Sequence, residues 1–163
     1  MDRPQLMAIT IAILVLLLIL MYAGWRARQR RQRDVAAPLA APAELGASLG
    51  TFDGKYVATT AAGSPLDRIA VHGLGFRSAA SLTVTEAGVL VQRPGSDDVW
   101  IPRADVLDRR TATWTIDRVV EHDGLELLQW NLGGKPVESY FRLLEPLEFE
   151  KAFQHLIPKE VAA

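Results

Sequence analysis

Cysteine is absent. Disulfide frameworks, thiolate nucleophiles and cysteine-ligated zinc are therefore excluded. Histidine is scarce: His72, His122 and His155 are the whole set, and no two of them stand at a metal-ligating spacing such as HExxH. Neither sign of charge dominates, with a net charge of −1, so no global field favours nucleic acid. No nucleophile elbow of the form G-x-S-x-G surrounds Ser64, Ser78 or Ser81. GLGFRS, residues 73 to 78, lacks the third glycine and the following helix of a dinucleotide loop. The expectation is a protein that is not an enzyme and has no cofactor and no metal.

What the chain does have is one long apolar run, LMAITIAILVLLLILMYAGW, residues 6 to 25. Twenty residues rise roughly 30 Å as a helix, the thickness of a bilayer hydrocarbon core. Thr10 can return its hydroxyl to a carbonyl one turn earlier. Tyr22 and Trp25 fall at the end of the run, where amphipathic rings favour the headgroup layer. A cleaved signal peptide has a basic start, a shorter apolar core and small residues at its cleavage site. Here MDRPQ precedes the run and arginines follow it, so the run reads as a retained transmembrane helix.

WRARQRRQR follows at once and carries Arg26, Arg28, Arg30, Arg31 and Arg33. Up to Gly50 there are six arginines against three acids; beyond it, twelve basic residues face sixteen acidic ones. The basic charge is local. Arginines beside a span stay on the cytoplasmic side, so the N-terminus is expected outside and the C-terminal domain in the cytoplasm, at the plasma (inner) membrane. The same five side chains can touch anionic headgroups. A nucleic-acid arm is disfavoured, because the cluster adjoins the span and the rest of the chain is acidic.

The expected organisation is a short flank (1–5), the span (6–25), a basic juxtamembrane segment (26–34), an Ala/Pro linker (35–50), a globular domain (51–158) and a tail (159–163). Pro38 and Pro42 block a continuous helix in the linker, which reads as a spacer. From Thr51 onward, period-two alternation and turn residues predict antiparallel strands. They are KYVATT (55–60), SLTVTE (81–86), VLVQR (89–93), VWI (99–101), ATWTIDRVVEH (112–122, irregular near Asp117), LELLQWNL (125–132) and VESYFRL (137–143). Asp123–Gly124 signals a tight turn. Asp105, Asp108, Arg109 and Arg110 read as a solvated rim, and Trp100, Trp114 and Trp130 as core or half-buried strand residues rather than an aromatic ligand platform. In EPLEFEKAFQHLIP, Phe149, Ala152, Phe153, Leu156 and Ile157 recur at helical spacing, and Pro158 stops the helix. The fold class is mainly β with one C-terminal helix, the architecture of a pleckstrin-homology-like (PH-like) antiparallel barrel or sandwich.

PLDRIAVHGLGFRSAASLTVTEAGVLVQRPGSDDVWIPRADV and GLELLQWNLGGKPVESYFRL resemble a family of actinobacterial single-pass membrane proteins with a C-terminal PH-like domain, sometimes named as transporters or export proteins. The elements are the RIxVHGLGxRSxAxLxV run, the GVLVxRxG hairpin, the IP before a strand and the W-x-LGG…FR hairpin. The resemblance implies the PH-like fold and a membrane address. It brings no catalytic residue or ligand, and one span cannot by itself form a solute pathway.

These readings converge on a membrane-anchored interaction or scaffold domain that binds an unidentified protein or peptide through a sheet edge or the open rim. Arg68, His72 and Arg77 mark that rim. The alternatives are an anionic-lipid-binding module and an accessory subunit of a transport or export assembly. A phosphoinositide site of the usual PH kind is disfavoured, because Asp67 offsets Arg68 and Arg77.

Overall fold

The computed structural model describes residues 2–112, 114–115, 118–119 and 124–157, with backbone alone at 114–115 and 118–119. It divides into two compact units, Met1–Asp34 and Val35–Ala163.

The first unit is one helix, α1 (Arg3–Arg31). No residue of it is buried, and its best 18-residue window has a mean hydropathy of 2.9. It is long and apolar enough to cross a membrane. The Thr10 hydroxyl donates to the Leu6 carbonyl at 2.9 Å, so the run carries no unsatisfied hydroxyl there. Arg28, Arg30 and Arg31 occupy the last turn, where cations complement the helix dipole.

The second unit is antiparallel. Its strands are β1 (Ser48–Ala61), β2 (Ser64–Arg68), β3 (Ser78–Thr85), β4 (Gly88–Gln92), β5 (Val99–Pro102), β6 (Val106–Ala112), β7 (Trp114–Thr115), β8 (Arg118–Val119), β9 (Leu125–Leu132) and β10 (Lys135–Leu143). One sheet runs β5-β4-β3-β1-β10-β9-β6, with β2 also on β1; β7 and β8 pair separately. A 3-10 turn, Arg103–Asp105, joins the two ends of the sheet, β5 and β6. Val99 and Ile101 from one end share a single apolar core with Val106, Leu128 and Trp130 from the other, so the sheet curls around that core. Helix α2 (Pro146–Leu156) buries Phe149, Ala152, Phe153 and Leu156. Phe149 meets Phe52 of β1 edge-on, with ring centroids 5.5 Å apart, which seats the helix at one end. Glu148, Lys151, Gln154 and His155 face water. Mainly β with a C-terminal helix is thus the observed class.

Three details depart from the pattern read in the sequence. First, β1 begins at Ser48, seven residues before Lys55. Gly50 and Gly54 hide this half from a propensity reading, yet Gly54 is required: a Cβ there would collide with the Arg142 carbonyl of β10. Second, β6 covers residues taken as a solvated rim. Arg109 and Arg110 lie on a strand because each has a carboxylate to pair with, Glu126 and Glu138. Third, residues 35–50, taken as a spacer, are bonded to the domain. Val35 and Leu49 pack on the core, the Leu39 carbonyl accepts from Trp100 N–H at 3.3 Å, and the Ala47 carbonyl accepts from Glu86 N–H at 3.2 Å. Leu39 and Trp100 form an antiparallel bridge beside β5, which otherwise is an edge. Trp100 and Trp130 are buried. The Trp114 side chain, Asp117, His122, Asp123, Pro158 and residues 159–163 lie outside the described residues.

Candidate functional site

The end of the sheet away from α2 is closed by the segment between β2 and β3, residues 69–77. Its backbone is stitched to β1: Thr59 N–H donates to the Leu74 carbonyl at 3.0 Å, and Ile69 N–H to the Thr59 carbonyl at 2.9 Å. Leu74 is buried beneath it. The Tyr56 hydroxyl donates to the same Leu74 carbonyl at 2.6 Å.

Behind this segment runs a buried polar chain. Tyr56 Oη lies 2.6 Å from Thr59 Oγ1, which lies 2.6 Å from Ser139 Oγ, and Trp130 Nε1 donates to Ser139 Oγ at 2.9 Å. Each group satisfies another in the low-dielectric interior. Burial pushes the Tyr56 phenol up to about 12, against smaller lowering by the Thr59 hydrogen bond and by the nearby charges of Arg93 and Arg68.

Arg93 fastens the closing segment. It is 3% exposed. Its Nη1 donates to the Gly73 carbonyl and its Nη2 to the Asp97 carbonyl, both at 2.8 Å. The guanidinium lies 5.0 Å from the centroid of the Tyr56 ring. One side chain at the end of β4 therefore holds the 69–77 segment and the 94–98 turn together. Its signal was present in the sequence. Val89, Val91 and Arg93 share one parity, so an arginine had to follow two core valines inward.

Of the residues expected at the rim, His72 and Arg77 lie on this segment and Arg68 immediately precedes it. Arg68, the last residue of β2, donates through Nη1 to the Gly75 carbonyl at 3.1 Å. Gly75 is held so closely that a Cβ would sit 2.9 Å from the Ile69 carbonyl. His72 has a φ of 55°, unusual for a residue with a side chain. Its Nε2 lies 2.9 Å from the Val35 carbonyl; a carbonyl only accepts, so the ring proton sits on Nε2. His72 thus fastens the first residue of the domain. Arg77 is exposed, with Phe76 beside it. In the other unit, Arg26, Arg28, Arg30 and Arg31 lie on α1 and Arg33 follows it. The Tyr22 and Trp25 rings lie 5.9 Å apart.

Two concave places lie on the outer face of the sheet. One is an open groove of about 490 Å³, whose lining includes Asp53, Ala79, Ser81, Gln92, Arg93 and Asp98. The other, about 280 Å³, lies over Glu138, Arg110, Tyr140 and Gly63. There Glu138, buried, accepts from Arg110 and from the Tyr140 hydroxyl at 3.0 Å. Burial first, then the Glu138 charge, push the Tyr140 phenol up to about 12. A second buried carboxylate system faces α2: Glu126 accepts from Arg109 at 2.9 and 3.0 Å, and Arg109 also reaches Glu150 at 3.1 Å. Burial raises the Glu126 pKa, and Arg109 opposes the rise. These ion pairs escaped the sequence reading, although Glu126 shares the parity of Leu128 and Trp130. Among the described residues, no three His, Asp or Glu side chains gather as a metal would require.

Residues 35–156 match the model of the family described as bacterial PH domain-like. The chain belongs to that family. The PH-like domain thus begins where Val35 meets His72, and the match includes the bonded segment 35–47. Among solved structures, the C-terminal domain of an unknown protein from Leishmania infantum aligns at 12% identity and a TM-score of 0.46, covering 68% of this chain and 83% of that one. Vav1, in a structure inhibited by an allosteric inhibitor, aligns at 12% identity and a TM-score of 0.43, covering 73% of this chain. The alignment spans 28% of the Vav1 chain. No curated protein matches.

Proposed function

We propose that the protein is a single-pass membrane anchor carrying a non-enzymatic PH-like interaction domain on the cytoplasmic face of the plasma membrane. The observation that carries this reading is the pairing of a PH-like domain with α1, a helix apolar all round and closed by arginines. The five arginines argue for a retained span with the domain inside. The exposed edge of β6 and the ends of the curled sheet argue for a protein or peptide partner. A role as accessory subunit of a membrane assembly is one form of the same proposal.

The test is site-specific photo-crosslinking in cells from the full chain, with probes at Leu107 on β6, Phe76 and Glu86. One partner captured from a single face, and lost when the probe moves to another, supports the reading. Absence of any position-dependent adduct counts against it. Orientation is tested separately by replacing Arg26, Arg28, Arg30, Arg31 and Arg33 with glutamine, which should scramble the topology. A tag at Ala163 that reports the outside in the unmodified protein would overturn the cytoplasmic assignment.

A further inference from the structure

The two edges of the sheet, β5 and β6, are not alike. Leu39 bridges to Trp100 beside β5. β6 ends the strand order, and Leu107, Asp108, Arg110 and Thr111 on it are exposed. Charge on an edge strand commonly discourages further pairing. Here the charges run Asp108, Arg109, Arg110, a pattern that complements itself.

A second copy of β6 laid antiparallel to the first, about a two-fold axis normal to the sheet, has few registers open to it. Residues directly opposite each other point to the same face. Arg109 stands opposite the core residue Leu128 and points inward, where Glu126 and Glu150 hold it. Asp108 and Arg110, one residue to either side, point outward. The axis must therefore pass through a residue, and three registers centre on the charged run. An axis at Asp108 sets carboxylate against carboxylate. An axis at Arg110 sets guanidinium against guanidinium. Both are unfavourable. An axis at Arg109 sets Asp108 of each copy opposite Arg110 of the other and leaves each Arg109 on its own carboxylates. Arg110 can serve two acids: it gives Nη2 to Glu138, its side chain is 51% exposed, and a guanidinium has five N–H donors.

We propose that two copies of this chain pair through β6, antiparallel about Arg109, and join their sheets into one. The pairing rests on the reading of β6 as an edge for a protein partner and names that partner. It closes at two copies, because Leu39 already lies along the β5 edge. The register of β6 against β9 shifts between Val106 and Asp108, which bends the strand and keeps the contact to its middle. So short a contact is weak between free domains. Chains anchored in one membrane meet at a high effective concentration, where a weak contact suffices.

The test uses full chains carrying a donor or an acceptor fluorophore after Ala163, reconstituted together in phosphatidylcholine vesicles with no other protein. Energy transfer read against the protein-to-lipid ratio should show a saturable pair. Asp108→Arg sets like charges opposite at two places and should weaken the association at least about tenfold. Asp98→Arg makes the same change of charge on an exposed turn and should leave it unaltered. A chain with Arg110→Asp and Glu138→Gln should also fail to pair with itself, yet pair with the Asp108→Arg chain, since both facing positions are then opposite in sign. Circular dichroism matching the unmodified chain shows that the variants are folded. An unmodified chain without saturable transfer overturns the proposal. So does an Asp108→Arg chain that associates as the unmodified one does, which places the contact away from β6. A photo-crosslinking probe at Leu107 that captures a different protein in cells, while the unmodified chains do not self-associate, overturns the pairing and spares β6 as a partner's edge. A Leu107 probe that captures nothing, with no self-association, overturns both.

Discussion

The Arg93 guanidinium donates to the Gly73 carbonyl at 2.8 Å while lying 5.0 Å from the centroid of the Tyr56 ring. A buried cation here is compensated by carbonyl dipoles and an aromatic face. Arg93→Met should lower the stability of the domain by about 2–4 kcal/mol, the range for breaking buried charge-assisted bonds. Arg93→Lys should rescue it only in part, because an ammonium cannot reach Gly73 and Asp97 as a planar fork does. Thermal melting gives the magnitude. Hydrogen exchange should show lost protection confined at first to residues 69–75 and 94–98; uniform loss would contradict the local role.

Alkaline pH should unfold the domain through its buried phenols. Tyr56 and Tyr140 ionise near 12 in the fold against 10 in the unfolded chain. Their contribution is complete below pH 10 and is lost as pH rises through about 12. For Tyr56 the total is on the order of 2–3 kcal/mol. Tyr56→Phe should cost about 1–2 kcal/mol at neutral pH, by removing the buried hydroxyl that bonds the Leu74 carbonyl and Thr59 Oγ1, and should flatten the alkaline decline. Urea titrations at a series of pH values would show both effects. An unchanged slope would mean that Tyr56 is not the group responsible.

Glu126 predicts a dependence of the same sign at acid pH. Its carboxyl is raised above 4.5 by burial, so the fold binds its proton more readily than the unfolded chain does. The associated stability is present below the unfolded value and is lost as pH rises through the folded one. Glu126→Gln should remove that part of the pH profile. If the slope in this window persists in the variant, a group other than Glu126 carries it.

The Arg110–Glu138 pair should behave as a unit. Arg110→Met alone leaves a 3%-exposed carboxylate without its half-exposed cation, though with its Tyr140 and Gly63 donors, and should cost about 1–2 kcal/mol. The double variant with Glu138→Gln should be less damaging than the sum of the single ones. A double-mutant cycle at neutral pH measures the coupling; additivity would refute it.

Deleting residues 35–50 should damage the domain although most of them form no strand. A chain starting at Thr51 loses the Val35 packing, the Leu39 cover on β5 and the first residues of β1. It should lose at least about 2 kcal/mol of stability and associate through the bared edge. Size exclusion and melting of chains beginning at residue 35 and at residue 51 make the comparison.

The fold was legible where period and pairing agreed. LELLQWNL coincides with β9, and VESYFRL falls within β10, because Leu128, Trp130 and Leu132 on one strand and Val137, Phe141 and Leu143 on the other alternate into the same core. Alternation failed where a second interaction replaced it. β6 carries two arginines because two buried carboxylates receive them, and no single-strand pattern can reveal a partner some twenty residues away. Residues 35–47 look like a spacer by composition, since what holds them is mostly backbone, and backbone hydrogen bonds carry no side-chain signature. At the candidate site, Arg68, His72 and Arg77 were read as one surface. Two of the three turned out to brace it: His72 and Arg68 spend hydrogen bonds on carbonyls of the domain itself. Arg93 was readable by parity alone.

The fastening of residues 35–47 also sets how the domain responds to force. A pull on the chain from its N-terminal side reaches the domain at Val35, whose carbonyl accepts from His72 and whose side chain is half-buried against the core. The next bond, Leu39 to Trp100, is loaded only after those give way. Bonds loaded one at a time peel at low tension, whereas the paired length of β1 between β3 and β10 would have to shear together. The segment would pay out about 40 Å of chain before the sheet opened, making it an extensible link that shields the core from strain.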